Sequence, residues 1–164
     1  MINMFDFKLG THVLPHIEKT DVPLFISFRQ LRKRKKKKFH QKGSICVDSG
    51  GFSELSLFGK WTIQPKEYID ELKRLETLNL NFEWVAQQDL MCESIMLEKT
   101  GLSIEEHQNQ TVSNFETLRS IEHDFKVIPV LQGQTIEEYM MCYEKFESAG
   151  FILKNEPVVG IGSV

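Results

Sequence analysis

A short apolar segment, residues 45–47, is followed directly by Asp48, Ser49, Gly50 and Gly51. The apolar residues predict a buried parallel strand, and parallel α/β folds place their chemistry where the strands end. A carboxylate held there can act as a nucleophile or carry a proton, and the paired glycines let a ligand or another backbone segment come close. The alternative is that Asp48 only caps a local turn.

Three further apolar segments end in polar residues or glycines in the same way. Residues 82–89 end in an amide followed by Asp89, residues 127–133 end in Gln132 and a glycine, and residues 157–163 end in glycines and a hydroxyl. The carboxyl ends of parallel strands meet at the same edge of a sheet. The repeated pattern therefore favours one shared site over an isolated turn at Asp48.

Helical segments separate the later strands. Residues 64–79, 102–122 and 135–149 carry apolar side chains at helical spacing, and Ser103 with Glu106 has the spacing of a capping box. Strands that alternate with helices predict parallel βαβ units with right-handed crossovers. The fold class is therefore predicted to be α/β.

The number of strands predicts an incomplete barrel. Residues 7–11 and 24–28 add two candidates, which gives about six strands, whereas a TIM-type (β/α)₈ barrel needs eight and typically about 250 residues. We expect residues 1–164 to form a single domain that is the N-terminal portion of a longer barrel, or half of an assembly. An open barrel would otherwise expose two strand edges.

The composition is that of a cytoplasmic α/β protein. Hydrophobic residues make up 41% of the 164 residues, which is enough for a single core. No signal peptide is recognisable, and no segment approaches the roughly 20 apolar residues that a membrane span requires. Cys46, Cys92 and Cys142 are widely spaced, which predicts reduced, buried thiols and offers no metal-binding pair.

A run of seven basic residues interrupts the chain within a loop predicted at residues 29–42. Without this run, 13 Lys and Arg would stand against 23 Asp and Glu, so positive charge is concentrated here. Such a run attracts the phosphates of a nucleic acid largely regardless of base sequence. The alternative is a solvated, self-repelling loop. The residues predicted to contact phosphates are Arg32, Lys33, Arg34, Lys35, Lys36, Lys37 and Lys38.

The motifs together resemble a known family. Their order and spacing are similar to those of the tRNA-guanine transglycosylases. The amino acids in the motifs resemble still more closely a related family that acts on DNA, the deazapurine-in-DNA protein A family of bacteriophages and genomic islands. The resemblance covers essentially the whole chain. It is carried by residues 9–12, 48–55, 88–93, 100–108, 129–133 and 159–164.

The resemblance implies a base-exchange reaction in which guanine in DNA is replaced by a 7-deazaguanine such as preQ0. The alternatives are exchange on tRNA, or a non-catalytic remnant that binds nucleic acid. Breaking the glycosidic bond leaves positive character at C1′, so a carboxylate must attack or stabilise that carbon while hydrogen bonds hold the departing purine. By similarity Asp48 belongs to the catalytic pair, as general acid and base or as nucleophile, and Ser49 holds the base or that carboxylate.

The resemblance also implies how the base is held. Asp89 would accept hydrogen bonds from N1–H and the exocyclic amine, and Gln132 with the backbone amide of Gly160 would hold O6. Gly133 would leave room for the ring, and Gly50 and Gly51 belong to the same substrate-binding set. In the tRNA enzymes a second aspartate and a zinc site follow later in the chain. We therefore expect no cofactor or metal site in these residues, with zinc and the second aspartate in a later segment or a partner subunit.

Aromatic and acidic residues near the glycine turn have two interpretations each. Phe52, Phe58 and Trp61 could stack on a base that has been flipped out of a duplex, or they could pack beneath the loop. Glu54 and Glu93 could orient Asp48 and Asp89, or they could face solvent.

Overall fold

The fold was described from a computed structural model, which covers residues 7–35 and 37–163. Its main element is a parallel sheet of five strands in the order β1-β2-β3-β4-β5, and β6 and β7 form a second parallel pair. The strands are β1 (Leu9–Gly10), β2 (Leu24–Ser27), β3 (Ile45–Asp48), β4 (Phe82–Ala86), β5 (Val127–Ile128), β6 (Val130–Leu131) and β7 (Gly160–Ile161). All six predicted strands are present, with different bounds, and the predicted α/β class is confirmed.

Pro129 divides the fifth predicted strand into β5 and β6. Proline has no N–H to donate, and at this point the strand changes its partner from β4 to β7. The carbonyl of Pro129 accepts from the amide of Gly160 at 2.9 Å, and the amide of Gly162 donates to Leu131 at 2.9 Å. The strands in the described part of the chain do not close on themselves. The sheet therefore supports a mixed α/β fold, and the predicted assignment to a TIM-type barrel is not confirmed.

The three predicted helices are present with shorter bounds, and four shorter helices accompany them in the described residues. The two longest sequence-predicted helices, α6 and α7, each begin with a capping box, formed by Ser103 with Glu106 and by Thr135 with Glu138. The helices are α1 (His16–Lys19), α2 (Phe28–Leu31), α3 (Gly51–Phe58), α4 (Pro65–Glu76), α5 (Ser94–Thr100), α6 (Ile104–Ser120) and α7 (Ile136–Ser148), with a 3₁₀ turn at Leu153–Asn155.

The core lies between the sheet and the helices and holds the strand ends in place. Helix α4 buries one apolar face that includes Tyr68, Ile69 and Leu72, while its opposite face is charged. The Tyr68 ring packs edge-on against Phe28 with centroids 4.6 Å apart, and its hydroxyl donates to the carbonyl of Ala86 at 2.9 Å. This contact fixes α4 to the last residue of β4.

Two of the compositional predictions can be compared with this fold. All three cysteines are buried thiols, as predicted. Of the helices formed by residues 7–35 and 37–163, none combines the length and the apolar character needed to cross a bilayer.

Candidate functional site

The turn from β3 into α3 holds Asp48 at the end of its strand. Gly50 adopts φ +84°, a left-handed conformation that favours glycine, and its amide donates to Oδ2 of Asp48 at 3.2 Å. A Cβ on Gly50 would also lie 2.9 Å from Cγ of Arg29. Ser27 is the register partner of Asp48 on β2. Asp48 thus caps the local turn, as the alternative interpretation predicts. It also lines a cavity, which is described below.

Asp89 follows β4 and is held by side chains from two other strand ends. Ser49 Oγ donates to its Oδ1 at 3.2 Å, and Gln132 Nε2 donates to its Oδ2. The backbone carbonyl of Asp89 accepts from the indole of Trp61 at 3.2 Å. A Cβ on Gly51 would lie 3.2 Å from that same carbonyl, so the second glycine allows α3 to approach this loop. The predicted meeting of these strand ends is confirmed.

Burial raises the pKa values of the two aspartates in this site and so favours their protonated forms. The pKa of Asp89 is raised to about 6, mainly by burial and in addition by the neighbouring Asp48 carboxylate, while hydrogen bonds from Gln132 and Ser49 oppose the shift. Burial also raises the pKa of Asp48, against the lowering effect of the Gly50 amide and Ser27. Two interacting carboxyl groups, one titrating near neutral pH, are an arrangement typical of acid and base chemistry.

The side-chain amide of Gln132 is fixed at both ends. Its Nε2 donates to Asp89, and its Oε1 accepts from Ser163 Oγ at 2.5 Å. Ser163 also lies 3.0 Å from Oε2 of Glu93. A Cβ on Gly162 would lie 2.8 Å from Cδ of Gln132, so glycine leaves the room that this amide occupies. Sequence reasoning did not select Ser163 as a site residue, although its hydroxyl ends the last predicted strand segment.

These groups surround a cavity of about 290 Å³ at the carboxyl ends of the strands. Among the described residues that line it there are three carboxylic acids and no basic side chain, so it suits a ligand that donates hydrogen bonds. Its walls are largely apolar and aromatic. The lining residues are Phe25, Asp48, Trp84, Ala86, Asp89, Met91, Glu93, Ile128, Val130, Gln132, Gly160, Ile161, Gly162 and Ser163.

Two predicted base-binding glycines have contacts that differ from the predicted ones. The amide of Gly160 is bonded to Pro129 and is not free to donate to a purine carbonyl, although the residue lines the cavity. Gly133 is buried against α7, where a Cβ would lie 2.8 Å from the amide nitrogen of Tyr139. Its missing side chain therefore makes room for a helix. Ser49, Gly50 and Gly51 support the carboxylates from behind and are not among the residues that line the cavity.

The basic run is divided between two faces of the molecule. Arg32, Lys33 and Lys35 line a groove of about 360 Å³ together with Arg29 of α2, beside the Gly50 turn. The other basic residues lie apart from this groove. The Arg34 guanidinium lies 5.8 Å from the centre of the Phe39 ring, Lys37 pairs with Glu18 at 3.7 Å, and Lys38 is exposed, while Lys36 lies outside the described residues.

The acidic and aromatic candidates near the turn also separate. Glu54 is 1% exposed and accepts hydrogen bonds from Arg29 and from Thr62, so it anchors the basic groove and not Asp48. Trp61 contacts the Asp89 loop, whereas Phe52 and Phe58 are 61% and 51% exposed on α3. No group of three or more potential metal ligands occurs in the part of the chain that the structure describes.

Sequence comparison identifies the family. A profile of the family described as DpdA, DeoxyPurine in DNA protein A, matches residues 4–164. No curated protein shows a significant match to the chain. The profile covers nearly the whole sequence, and the resemblance drawn from the motifs is confirmed. The chain therefore belongs to the DpdA family, and this membership implies a role in the modification of DNA with deazapurines.

Proposed function

We propose that this chain carries the base pocket of a transglycosylase that exchanges guanine in DNA for a 7-deazaguanine of the preQ0 type. The single observation that supports this function best is the convergence of Asp48, Asp89 and Gln132 on one cavity at the carboxyl ends of three strands. The carboxylates and the amide match the donor and acceptor pattern of a guanine edge. Membership of the DpdA family implies that the nucleic acid is DNA.

Base recognition falls to Asp89 and Gln132. The Asp89 carboxylate accepts from N1–H and from the exocyclic amine, and the second hydrogen of Gln132 Nε2 is donated to O6. Both groups are now bonded to each other, and Asp89 also accepts from Ser49. Because these bonds hold both side chains in place before the base enters, little side-chain entropy is lost on binding. An adenine edge, with a donor at position 6 and an acceptor at N1, would leave Asp89 unmatched.

Asp48 acts on the sugar. In one role its carboxylate attacks C1′ as the C1′–N9 bond breaks, and a second carboxyl group gives its proton to N9 of the departing purine. In the other role Asp48 transfers that proton and a second carboxylate attacks C1′. The raised pKa of Asp48 suits the proton carrier, and the capped geometry suits either role.

We further propose that the sheet is part of a TIM-type barrel. In such a barrel, functional groups lie at the carboxyl ends of parallel strands, as Asp48, Asp89 and Gln132 do here. In the described residues, β1 lies at one edge of the five-stranded sheet and β7 at one edge of the two-stranded sheet. Further strands that close the barrel would pair with these two edges.

The groove formed by Arg29, Arg32, Lys33 and Lys35 is the proposed contact for DNA phosphates. It lies beside Gly50, whose amide binds Asp48, so a backbone held there would pass close to the reacting sugar. Arginine and lysine at such a groove neutralise phosphates and release counterions, which gives a salt-dependent affinity.

The test is exchange of labelled guanine into polynucleotides by the full-length protein. Duplex DNA, single-stranded DNA and tRNA are compared, first with guanine and then with preQ0 as competitor. We expect labelled guanine to enter DNA and preQ0 to block its entry. Label that enters tRNA alone would contradict DNA exchange. Tight guanine binding without exchange into any polynucleotide would indicate a binding remnant and not an enzyme.

A further inference from the structure

Ser163 lies between two oxygen acceptors and has one hydrogen to donate. Its Oγ is 2.5 Å from Oε1 of Gln132 and 3.0 Å from Oε2 of Glu93, and it accepts from the amide of Cys92 at 2.8 Å. A serine hydroxyl donates once. It can therefore satisfy only one of these two acceptors, unless the Glu93 carboxyl carries a proton and donates to Ser163.

Two arrangements satisfy every group in the chain from Glu93 to Asp89. In the first, protonated Glu93 donates to Ser163, Ser163 donates to Gln132 Oε1, and Gln132 Nε2 donates to the Asp89 carboxylate. In the second, Ser163 donates to the Glu93 carboxylate, Gln132 is turned over, and protonated Asp89 donates to its Oε1. Each arrangement holds one proton between the two carboxyl groups. When neither carboxyl group is protonated, one contact lacks a hydrogen.

The two arrangements present opposite edges to a ligand. The first offers an acceptor at Asp89 and a donor at Gln132, which matches a 6-oxopurine with a hydrogen on N1. The second uses the one proton of Asp89 on Gln132 Oε1 and offers an acceptor at Gln132, which suits the amine of a 6-aminopurine and not the O6 of a 6-oxopurine. The orientation observed, with Gln132 Nε2 on Asp89, is the first one. The hydrogen of Ser163 thus decides which purine edge the cavity reads.

We propose that Glu93 is a positioning residue for base recognition, acting through Ser163 to hold the Gln132 amide in the orientation that reads a 6-oxopurine. The inference rests on the proposed guanine pocket and extends it to a residue that does not bind the base edge itself. Glu93 lines the same cavity, and Gly162 leaves the space in which the Gln132 amide is held.

Several titratable groups surround Glu93 and have to be separated from it in a test. His107 of α6 feels the Glu93 charge and is itself buried, with its Nδ1 and Nε2 2.7 Å from the carbonyl of Met91 and the hydroxyl of Thr100. Cys92 lies in the same loop, and Tyr139 of α7 feels both Glu93 and Glu138. None of these groups donates to Gln132 Oε1, so removal of Glu93 isolates the proposed effect.

The experiment measures guanine affinity between about pH 5 and pH 8 by quenching of tryptophan fluorescence, since Trp84 lines the cavity. In the unsubstituted protein we expect affinity to rise as Asp89 ionises near its pKa of about 6. Glu93→Ala removes the partner that biases the Ser163 hydrogen and should lower the preference for guanine over 2,6-diaminopurine about three- to tenfold, the usual worth of one hydrogen bond. Glu93→Gln, whose amide can donate to Ser163, should keep this preference.

Three further measurements complete the test. Ser163→Ala should also lower this preference, with weaker binding throughout, and Glu98→Gln on the exposed side of α5 should leave it unchanged. Guanine is compared with 2,6-diaminopurine, which changes only the edge that Gln132 and Asp89 read. A preference for guanine that Glu93→Ala leaves unchanged, with normal thermal unfolding, would overturn the inference. Absence of guanine binding at every pH would instead overturn the proposed function.

Discussion

The base pocket and the basic run both bring charged side chains together, but their construction is opposite. In the pocket, Asp89 and Gln132 come from positions 43 residues apart and are bonded to each other. In the basic run, neighbours in sequence point to different faces, with Lys33 and Lys35 in the groove and Arg34 on Phe39. Sheet register therefore builds the pocket, whereas the end of a short helix divides the run.

The difference has an electrostatic consequence. The pocket groups are partly buried and lie close together, so their protonation depends on each other, and burial raises the pKa values of both Asp48 and Asp89. The cations of the run are largely exposed, where solvent and salt screen them. A substitution in the pocket should therefore change chemistry or affinity at fixed salt, whereas a substitution in the run should change salt dependence.

The largest effect is expected at Asp48. Asp48→Asn keeps the size of the side chain and its bond to the Gly50 amide, so guanine binding should survive. Exchange of labelled guanine into DNA should fall by at least about a hundredfold, because the amide neither attacks C1′ nor transfers the proton. If a covalent protein–DNA adduct on a denaturing gel also disappears, Asp48 is the nucleophile. An adduct that persists assigns attack to another carboxylate.

The matched control for this substitution is Asp70→Asn on the exposed face of α4, where the carboxylate pairs with Lys66 across one helical turn. Exchange by this variant should be normal. Near-normal exchange by Asp48→Asn itself would leave the Asp-Ser-Gly-Gly turn with a structural role alone.

Removal of the base-reading acceptor should have the next largest effect. Asp89→Ala leaves the guanine N1–H and amine without an acceptor, at a cost on the order of 1 to 3 kcal/mol, so affinity should fall roughly tenfold to a hundredfold. Calorimetry with guanine measures this loss, and the far-ultraviolet circular dichroism of the variant checks the fold. Unchanged affinity in a folded variant would remove Asp89 from base recognition.

The basic run can be tested by comparing its two faces at equal charge. Lys33→Ser with Lys35→Ser removes two groove cations, and the slope of log affinity for DNA against log salt should become shallower by about 1.8, at roughly 0.9 per phosphate contact. Arg34→Ser with Lys37→Ser removes the same charge from the other face and should change the slope little. Equal changes from both pairs would show that the run attracts DNA through its charge alone and that the groove has no special part in binding phosphates.

The sequence predicted the pocket better than the run because different physical constraints act on them. Parallel strands bring their carboxyl ends to one edge, so the meeting of Asp48, Asp89 and Gln132 follows from strand order alone. The contacts of Gly133 and Gly160 do not follow, because they depend on how α7 and β7 approach the sheet. The division of the basic run depends on where α2 ends and on the burial of Phe39, which charge density does not indicate.

The smallest predicted effect concerns stability and separates the two regions once more. The pKa of Asp89 is about 6 in the folded protein, above its ordinary value of 3.8, so folding favours the protonated carboxyl. Its contribution to the free energy of unfolding is therefore fully present below about pH 4 and is lost as pH rises through about 6. For a partly exposed group we expect a loss of about 1 to 2 kcal/mol, measured by urea unfolding at pH 4 and pH 7.

Asp89→Asn should flatten this pH dependence. Lys33→Ser with Lys35→Ser should preserve it, because neither lysine lines the cavity that holds Asp89. A pH profile that Asp89→Asn leaves unchanged would show that Asp89 ionises in the folded protein as freely as in the unfolded chain, and would remove the electrostatic distinction between pocket and run.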